Sequence, residues 1–465
     1  MNSKIVEEFR KLFYADSVAV IGATSDFTKL GFYAMCSVLN YDGKVFLVNP
    51  RFKELEGRKV YSSISDVPEN IDLAVIVVPA KLVPGVLREC ARKGVKGASI
   101  ITALFKEIGS EGEKLQEELA SIANEAGIKI IGPNTIGFAN VNRGLNASFN
   151  PLFGCLKKGN IAVFCQSGGI STILGNMALD ENIGISKIAS LGNRVNVDFA
   201  EILEYLLYDD ETDVIAIHIE GLDNARPLME AAKKVVRKKP VVAYKVGRTN
   251  VDRAAFSHTG SMAGDYKLYD AMFKQAGIIP VNSPTELLDA AKALAMQPVP
   301  KGNRVAVLSM QAGAGIVISD ICAMNGLNVA PFTEETNKKF EELLPPYTIR
   351  TNPVDLAFAP FPEGRVEATR FALEDKNIDT LIFFQVYFPM MGVHAEELIA
   401  FNKKYAKPII VVLNGPKALL KEDVTKLESG GIPVYPTPER GAMTLVRLVQ
   451  YGQILRKFSN KEDCF

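Results

Sequence analysis

Apolar and polar positions alternate in blocks along this chain of 465 residues. Through the first 150 residues one rhythm recurs: a short β-branched run, a loop, then an amphipathic stretch with helical spacing. Residues 17–21, 44–48, 73–78, 98–101 and 129–131 predict strands, and residues 30–39 and 82–93 predict helices between them. Strands alternating with helices imply a parallel sheet covered on both faces. Ligands of such sheets bind at the carboxyl ends of the strands. Those ends read Gly22-Ala23-Thr24-Ser25, Asn49-Pro50-Arg51, Val78-Pro79-Ala80, Thr102-Ala103 and Gly132-Pro133-Asn134.

Beyond residue 150 the pattern occurs twice more. The run from Asn160 to Ile170 aligns with that from Arg304 to Ile316, each a buried strand leading into glutamine, small residues and a helix. Asn196-Val197-Asp198 in the first copy has a counterpart in Asn352-Pro353-Val354-Asp355, and two apolar strands follow in each, at 214–219 with 241–244 and at 381–385 with 409–413. The economical reading is α/β throughout: a Rossmann-type domain over 1–150, then two flavodoxin-like domains over 151–298 and 302–465. Pro298-Val299-Pro300-Lys301-Gly302 would link the last two, and about three domains suit this length.

Composition removes several classes of function. Basic and acidic residues balance at 53 each, against the strongly basic footprint of nucleic-acid or anionic-membrane binders. The apolar runs are strand-sized, well short of the ~20 residues that cross a bilayer. Residues 1–10 carry no apolar signal core, so the expectation is a cytoplasmic protein. Six cysteines without a Cys-x-x-Cys pair, and three histidines at no ligand spacing, predict buried reduced thiols and no zinc site.

The first domain lacks a dinucleotide fingerprint. After Gly22 the next glycine is Gly31, and the second strand ends in Asn49-Pro50 rather than an acid, so NAD is disfavoured. What remains is a Gly/Thr/Ser turn opening a helix, with Lys29 and Arg51 nearby, suited to another phosphorylated adenine ligand; alternatively Gly22 only closes a tight turn. Gln166-Ser167-Gly168-Gly169 and Gln311-Ala312-Gly313-Ala314-Gly315 each precede a helix. Free N–H groups and the helix dipole make such termini candidate phosphate sites, and two of them can frame one site.

Chemistry concentrates in the middle module. Ser257-His258-Thr259-Gly260-Ser261-Met262-Ala263-Gly264 sets a histidine among small residues, in a loop able to move a covalent group carried on the ring, or else in an ordinary surface loop. Glu220 ends its strand, whereas Gln385 stands in the other copy. Its carboxylate is the candidate that fixes the His258 tautomer, unless it is a surface acid. His218, in an apolar strand, reads as core. Ser167 lacks the Gly-x-Ser-x-Gly elbow because position 165 is cysteine, and Cys165 itself ends a buried strand, so neither is a favoured nucleophile.

These residues together resemble the α subunits of the nucleoside-diphosphate-forming acyl-CoA synthetases, relatives of succinyl-CoA synthetase and closest in pattern to the archaeal ADP-forming acetyl-CoA synthetases. The resemblance covers essentially the whole chain. Residues 257–264 match the family's phosphohistidine loop, and Gly132-Pro133-Asn134 and Val48-Asn49-Pro50 match its CoA domain. Departures are Thr135, where relatives often have cysteine, and Asn250-Val251-Asp252, where glycine and small residues are frequent.

The resemblance implies coenzyme A as substrate in the first domain, held by Gly22, Ala23, Thr24, Ser25, Lys29, Asn49, Pro50, Arg51, Val78, Pro79 and Asn134. It implies an acyl phosphate and a phosphohistidine at His258 that hands its phosphoryl group to ADP. No Gly-x-x-x-x-Gly-Lys-Ser/Thr loop is present. Hence ADP or ATP and Mg are expected on a separate ATP-grasp β subunit, in an α2β2 heterotetramer. The carboxylic acid stays open, as does a non-catalytic CoA-sensing protein that uses the same first domain.

Overall fold

The computed structural model describes residues 2–247, 266–356, 362–389 and 391–459. The chain forms two compact units, Met1–Leu287 and Leu288–Phe465. Among the described residues the first unit holds two seven-stranded sheets and the second a six-stranded one.

The first sheet contains β1 (Ser17–Ile21), β2 (Lys44–Val48), β3 (Glu54–Leu55), β4 (Arg58–Tyr61), β5 (Leu73–Ile76), β6 (Gly97–Ile100) and β7 (Lys129–Ile131), in the order β3-β4-β2-β1-β5-β6-β7. Apart from the β3–β4 hairpin every pairing is parallel. β1 and β5 are buried throughout, as strands covered by helices on both faces must be. The order reverses beside β1, which places the carboxyl ends of β1, β2 and β5 around one crevice.

The second sheet runs β14-β13-β12-β10-β11-β8-β9, with β10 (Lys158–Cys165), β11 (Ile185–Ser190), β12 (Val214–Ile219), β13 (Val241–Lys245) and β14 (Ile279–Val281) parallel. Its far edge is an antiparallel hairpin of β8 (Gly137–Asn140) and β9 (Leu145–Ser148) laid against β11. This hairpin lies within the first 150 residues of the sequence yet belongs to the second sheet. His218 on β12 is fully buried, with neither ring nitrogen hydrogen-bonded.

In the second unit the order is β16-β15-β18-β19-β20, with β17 also on β15. The strands are β15 (Arg304–Ser309), β16 (Asn328–Val329), β17 (Val354–Asp355), β18 (Thr380–Val386), β19 (Ile409–Asn414) and β20 (Val434–Tyr435). Helices such as Ala312–Met324 and Pro438–Ser459 pack on one face, where Ile318, Leu445 and Val449 meet Val307 and Ile382. Among the described residues no helix is long and apolar enough to cross a membrane. The cysteines at 36, 90, 155, 165 and 322 are free. Cys155 departs from the expected burial: it ends a short 3-10 turn, Pro151–Cys155, and is exposed.

Candidate functional site

The first site is a cavity of ≈ 970 Å³ at the carboxyl ends of β1, β2 and β5. Gly22 makes it possible. Its φ is +98°, and a Cβ there would stand 2.2 Å from the Val77 carbonyl oxygen. Gly31, on the helix Leu30–Leu39, would clash equally with the Gly22 carbonyl, so both glycines let that helix close against the β1 turn. Asn49 ties two strand ends together: its side-chain amide donates to the Ala23 carbonyl at 2.8 Å and its Oδ1 accepts from the Arg51 N–H at 2.9 Å.

Gly22, Thr24, Lys29, Asn49, Pro50, Arg51, Val78 and Pro79 all line this cavity. Ala23 and Ser25 do not. Ala23 is buried with its carbonyl held by Asn49, and Ser25 points out of the turn into solvent. Thr102, one of the strand ends read from the sequence, lines it too, and Asp26 and Ser63 join the wall without having been anticipated. Lys29 pairs with Asp26 at 3.0 Å, and hydrogen bonds from Thr28 and Lys29 hold the Asp26 carboxyl down at about 2.

A second cavity of ≈ 360 Å³ lies against the second sheet. Leu30, Ile101 and Ala103 line both cavities, so the two are neighbours across a shared wall. Gln166, Ser167, Gly168, Gly169, Asn134 and Glu220 line the smaller one. Asn134, in the left-handed region at φ +59°, donates its backbone N–H to the Thr102 carbonyl and its side-chain amide to Asn193 at 3.3 Å.

The helix Gly168–Asp180 opens on this cavity. Ser167 caps it, its Oγ accepting from the Ile170 N–H at 3.5 Å. The Gln166 side chain, expected at a phosphate site, uses its Oε1 to accept the backbone N–H groups of Glu220 at 2.8 Å and Gly221 at 3.0 Å. It thereby fixes the end of β12 and the root of the Glu220 side chain. Gly168 is a packing glycine, since a Cβ would lie 2.8 Å from Ile136 Cγ1. Gly169 is open, its nearest neighbour Ser167 Oγ at 3.8 Å. Among these glycines it is Gly169 that leaves room for a ligand to approach.

In the second unit Gln311 caps the helix Ala312–Met324 by position but without a side-chain bond, and its Oε1 is buried and unpartnered. Counted from the strand ends, Gln311 corresponds to Ser167 and Met310 to Gln166: both Gln166 and Met310 donate their N–H to the neighbouring strand, at the His218 and Phe384 carbonyls. The two glutamines that looked equivalent in sequence are therefore one place apart. Ala312, Gly313, Ala314 and Gly315 form the first turn. A Cβ on Gly313 would meet nothing within 4 Å, while one on Gly315 would lie 3.2 Å from Ser309 Cβ.

His258 lies outside the described residues. The strand that leads toward it, β13, pairs with β12 so that Lys245 stands beside Ile219, next to Glu220. Cys165 is fully buried and burial, with the nearby Glu220 charge, pushes its thiol far above the ordinary range, which agrees with a structural role. Burial and the Lys245 charge hold His218 down to about 4, so it stays neutral at neutral pH. Among the described residues no group of three His, Cys, Asp or Glu side chains could hold a metal ion. Asn193, Ile136 and Phe149 also line the smaller cavity and were missed. For Asn193 a signal existed in Gly192-Asn193, which follows the carboxyl end of β11.

These folds and sites define a CoA ligase of the succinyl-CoA ligase type. Residues 16–141 match the family model of a CoA binding domain, 158–294 that of a succinyl-CoA ligase like flavodoxin domain, and 305–446 that of a Ligase-CoA domain. The chain belongs to the family of ADP-forming acetate–CoA ligase α subunits. The acetate–CoA ligase [ADP-forming] II subunit alpha of Pyrococcus furiosus is 40% identical over 445 residues, covering 94% of this chain and 96% of that one. Acetate–CoA ligase [ADP-forming] I of Archaeoglobus fulgidus is 38% identical over 454 residues, 97% of this chain but 65% of the longer relative. The acetyl-coenzyme A synthetase 1 of Ca. Korarchaeum cryptofilum, solved with phosphate and ADP, superposes with a TM-score of 0.89 at 35% identity over 99% of both chains.

Proposed function

We propose that this chain is the α subunit of an ADP-forming acyl-CoA synthetase, interconverting acyl-CoA, ADP and phosphate with the acid, CoA and ATP. The observation that carries the reading is the wall shared by the two cavities at Leu30, Ile101 and Ala103. CoA lying along Gly22, Lys29 and Arg51 would present its thioester past that wall to the N-terminus of the helix Gly168–Asp180 and to Glu220.

A phosphate oxygen attacks the thioester carbonyl, the C–S bond breaks, and the CoA sulfur leaves with the proton given up by phosphate. The free N–H groups of the helix terminus stabilise the anions. The His258 ring nitrogen then attacks phosphorus, the P–O bond to the acyl group breaks, and the carboxylate departs. Glu220 accepts the ring's other N–H and stabilises the imidazolium that forms. ADP takes the phosphoryl group in the last step and restores the free imidazole.

In this reading ADP or ATP and Mg, which would neutralise phosphate charge, belong to an ATP-grasp β subunit, and the assembly is α2β2 in the cytoplasm. The relatives named as subunits alpha support a separate partner, and 65% coverage of the Archaeoglobus relative leaves room for one fused in that protein.

The test is radiolabelled phosphate with acetyl-CoA, chain and candidate β subunit, followed by peptide mapping. An acid-labile, alkali-stable label on His258, formed before nucleotide is added, is expected. Label on Ser167 or Ser257, or ATP synthesis unaffected by His258→Ala, overturns the mechanism; CoA binding with neither label nor ATP synthesis favours a CoA-sensing protein instead.

A further inference from the structure

Ile136 and Phe149 face each other one rung beyond the last pair of the β8–β9 hairpin. The Phe149 N–H donates to the Ile136 carbonyl at 3.0 Å, continuing the Gly137–Ser148 register. Residues directly opposite in an antiparallel pair put their side chains on the same face, and both side chains are half-buried on the wall of the ≈ 360 Å³ cavity. Ile136 is seated against the first residue of the helix Gly168–Asp180. Among the described residues Glu220 is the one ionisable side chain on that wall.

Neither residue takes part in the phosphoryl chemistry, and neither lines the larger cavity. Their hydrocarbon stands where the acyl end of a CoA thioester would emerge. A second carboxylate on the acyl chain would have to shed its water against these two side chains, a costly exchange. An uncharged alkyl or aryl group would lose nothing there and gain contact.

We propose that Ile136 and Phe149 select the acid: they restrict the enzyme to monocarboxylic acids with uncharged acyl chains, and the Phe149 ring sets how bulky that chain can be. The inference rests on the CoA-ligase reading above, and is narrower than it. An apolar pocket discriminates by roughly 10- to 200-fold per methylene, so trimming the ring should have an effect of that order.

The experiment is calorimetric titration of the full-length chain with CoA, acetyl-CoA, phenylacetyl-CoA and succinyl-CoA, for wild type, Phe149→Ala and Phe149→Leu. Melting curves check that each variant folds, and the milder leucine keeps the comparison available should alanine not. Wild type should bind acetyl-CoA at least about tenfold more tightly than succinyl-CoA. Either variant should raise the affinity for phenylacetyl-CoA relative to acetyl-CoA by about tenfold, with binding of CoA itself unchanged. Equal binding of succinyl-CoA and acetyl-CoA, or an unmoved ratio in both folded variants, overturns the acyl wall while leaving the CoA-ligase reading intact. No binding of CoA to wild type overturns that reading, and the wall with it.

Discussion

Gln166 holds Glu220 by its backbone: the glutamine Oε1 accepts the Glu220 N–H at 2.8 Å and the Gly221 N–H at 3.0 Å, with Gln166 itself buried. The ladder holds β12 as far as Ile219 beside Lys245, a side chain from a neighbouring loop holds the two residues after it, and the carboxylate proposed to orient His258 inherits that placement.

Gln166→Met, which installs the residue found at the matching place in the second unit, should leave two N–H groups without an acceptor. Each such loss costs about 1–3 kcal/mol. His258 labelling in a single turnover should slow by about tenfold or more, since tenfold needs only ~1.4 kcal/mol. Glu220→Gln, which removes the charge but keeps the shape, should slow it by on the order of a hundredfold. Labelling at the wild-type rate in Gln166→Met would show that the clamp does not serve the chemistry.

Glycines in the first domain should divide sharply by what an added methyl meets. Gly22→Ala forces a side chain into φ +98° and to within 2.2 Å of the Val77 carbonyl, so the β1 turn must shift and calorimetric CoA binding should be lost. Gly85 lies in the helix Val83–Lys93 with nothing within 4 Å of its would-be Cβ. Gly85→Ala should instead stabilise by about 0.5–1 kcal/mol, from helix propensity alone, with CoA affinity unchanged. Intact CoA binding in Gly22→Ala would contradict the role assigned to the turn.

Much of the fold was legible because its strands are short β-branched runs between strong breakers. β1, β2, β7 and β12 begin and end where the pattern places them. The β8–β9 hairpin was not legible, since Gly-Phe-Ala-Asn and Leu-Asn-Ala-Ser carry no sustained alternation and pair with a strand nearly 50 residues away, in the register Lys187–Asn140. The acyl wall went with it. For the larger cavity the strand ends and the resemblance together point to Gly22, Asn49 and Arg51, which line it, but also to Ala23 and Ser25, which do not. A turn sends alternate residues to opposite sides, and the sequence does not say which. Likewise Gln166 and Gln311 share a residue type but not a position, because the strand-to-helix turns are aligned by where the strand ends.

Lys187 on β11 is fully buried, and its Nζ donates to Asp209 at 2.8 Å, to the Tyr14 hydroxyl at 3.0 Å and to Glu211 at 3.3 Å. Tyr14 follows the helix Asn2–Phe13, so this cluster joins the start of the chain to the second sheet. Burial pushes the Asp209 carboxyl up, but Lys187 outweighs it and the carboxyl titrates below its ordinary range. Lys187→Met should destabilise the first unit by about 3–5 kcal/mol, because an uncompensated charge is left behind. The double variant Lys187→Met, Asp209→Leu should recover much of that loss in chemical denaturation. A single variant as stable as wild type would mean the cluster contributes nothing.

Acid should weaken both units through buried histidines. Burial and the Lys245 charge hold His218 down to about 4, and burial and the Arg365 charge hold His394 down to about 3. Both rings stay neutral in the folded chain well below the ordinary value of about 6.5, whereas the unfolded chain takes up a proton as pH falls through that value. Between about 6.5 and 4 the unfolded state therefore binds more protons, and stability falls with falling pH by up to ~1.4 kcal/mol per unit for each histidine. For His218 the loss saturates near about 3 kcal/mol. The carboxylates with lowered values, Asp209, Asp375 and Asp379, add their share only at lower pH. Because neither ring nitrogen of His218 has a hydrogen-bond partner, His218→Leu sacrifices no bond and should flatten the pH dependence of amide exchange in β12 between pH 7 and 5. His394 accepts or donates one bond, to Thr369 Oγ1 at 3.1 Å, and His394→Leu should flatten exchange in the helix Ala395–Tyr405 in the same window. Exchange in β12 that steepens equally in wild type and His218→Leu would rule out the buried imidazole as the acid-sensitive element of the first unit.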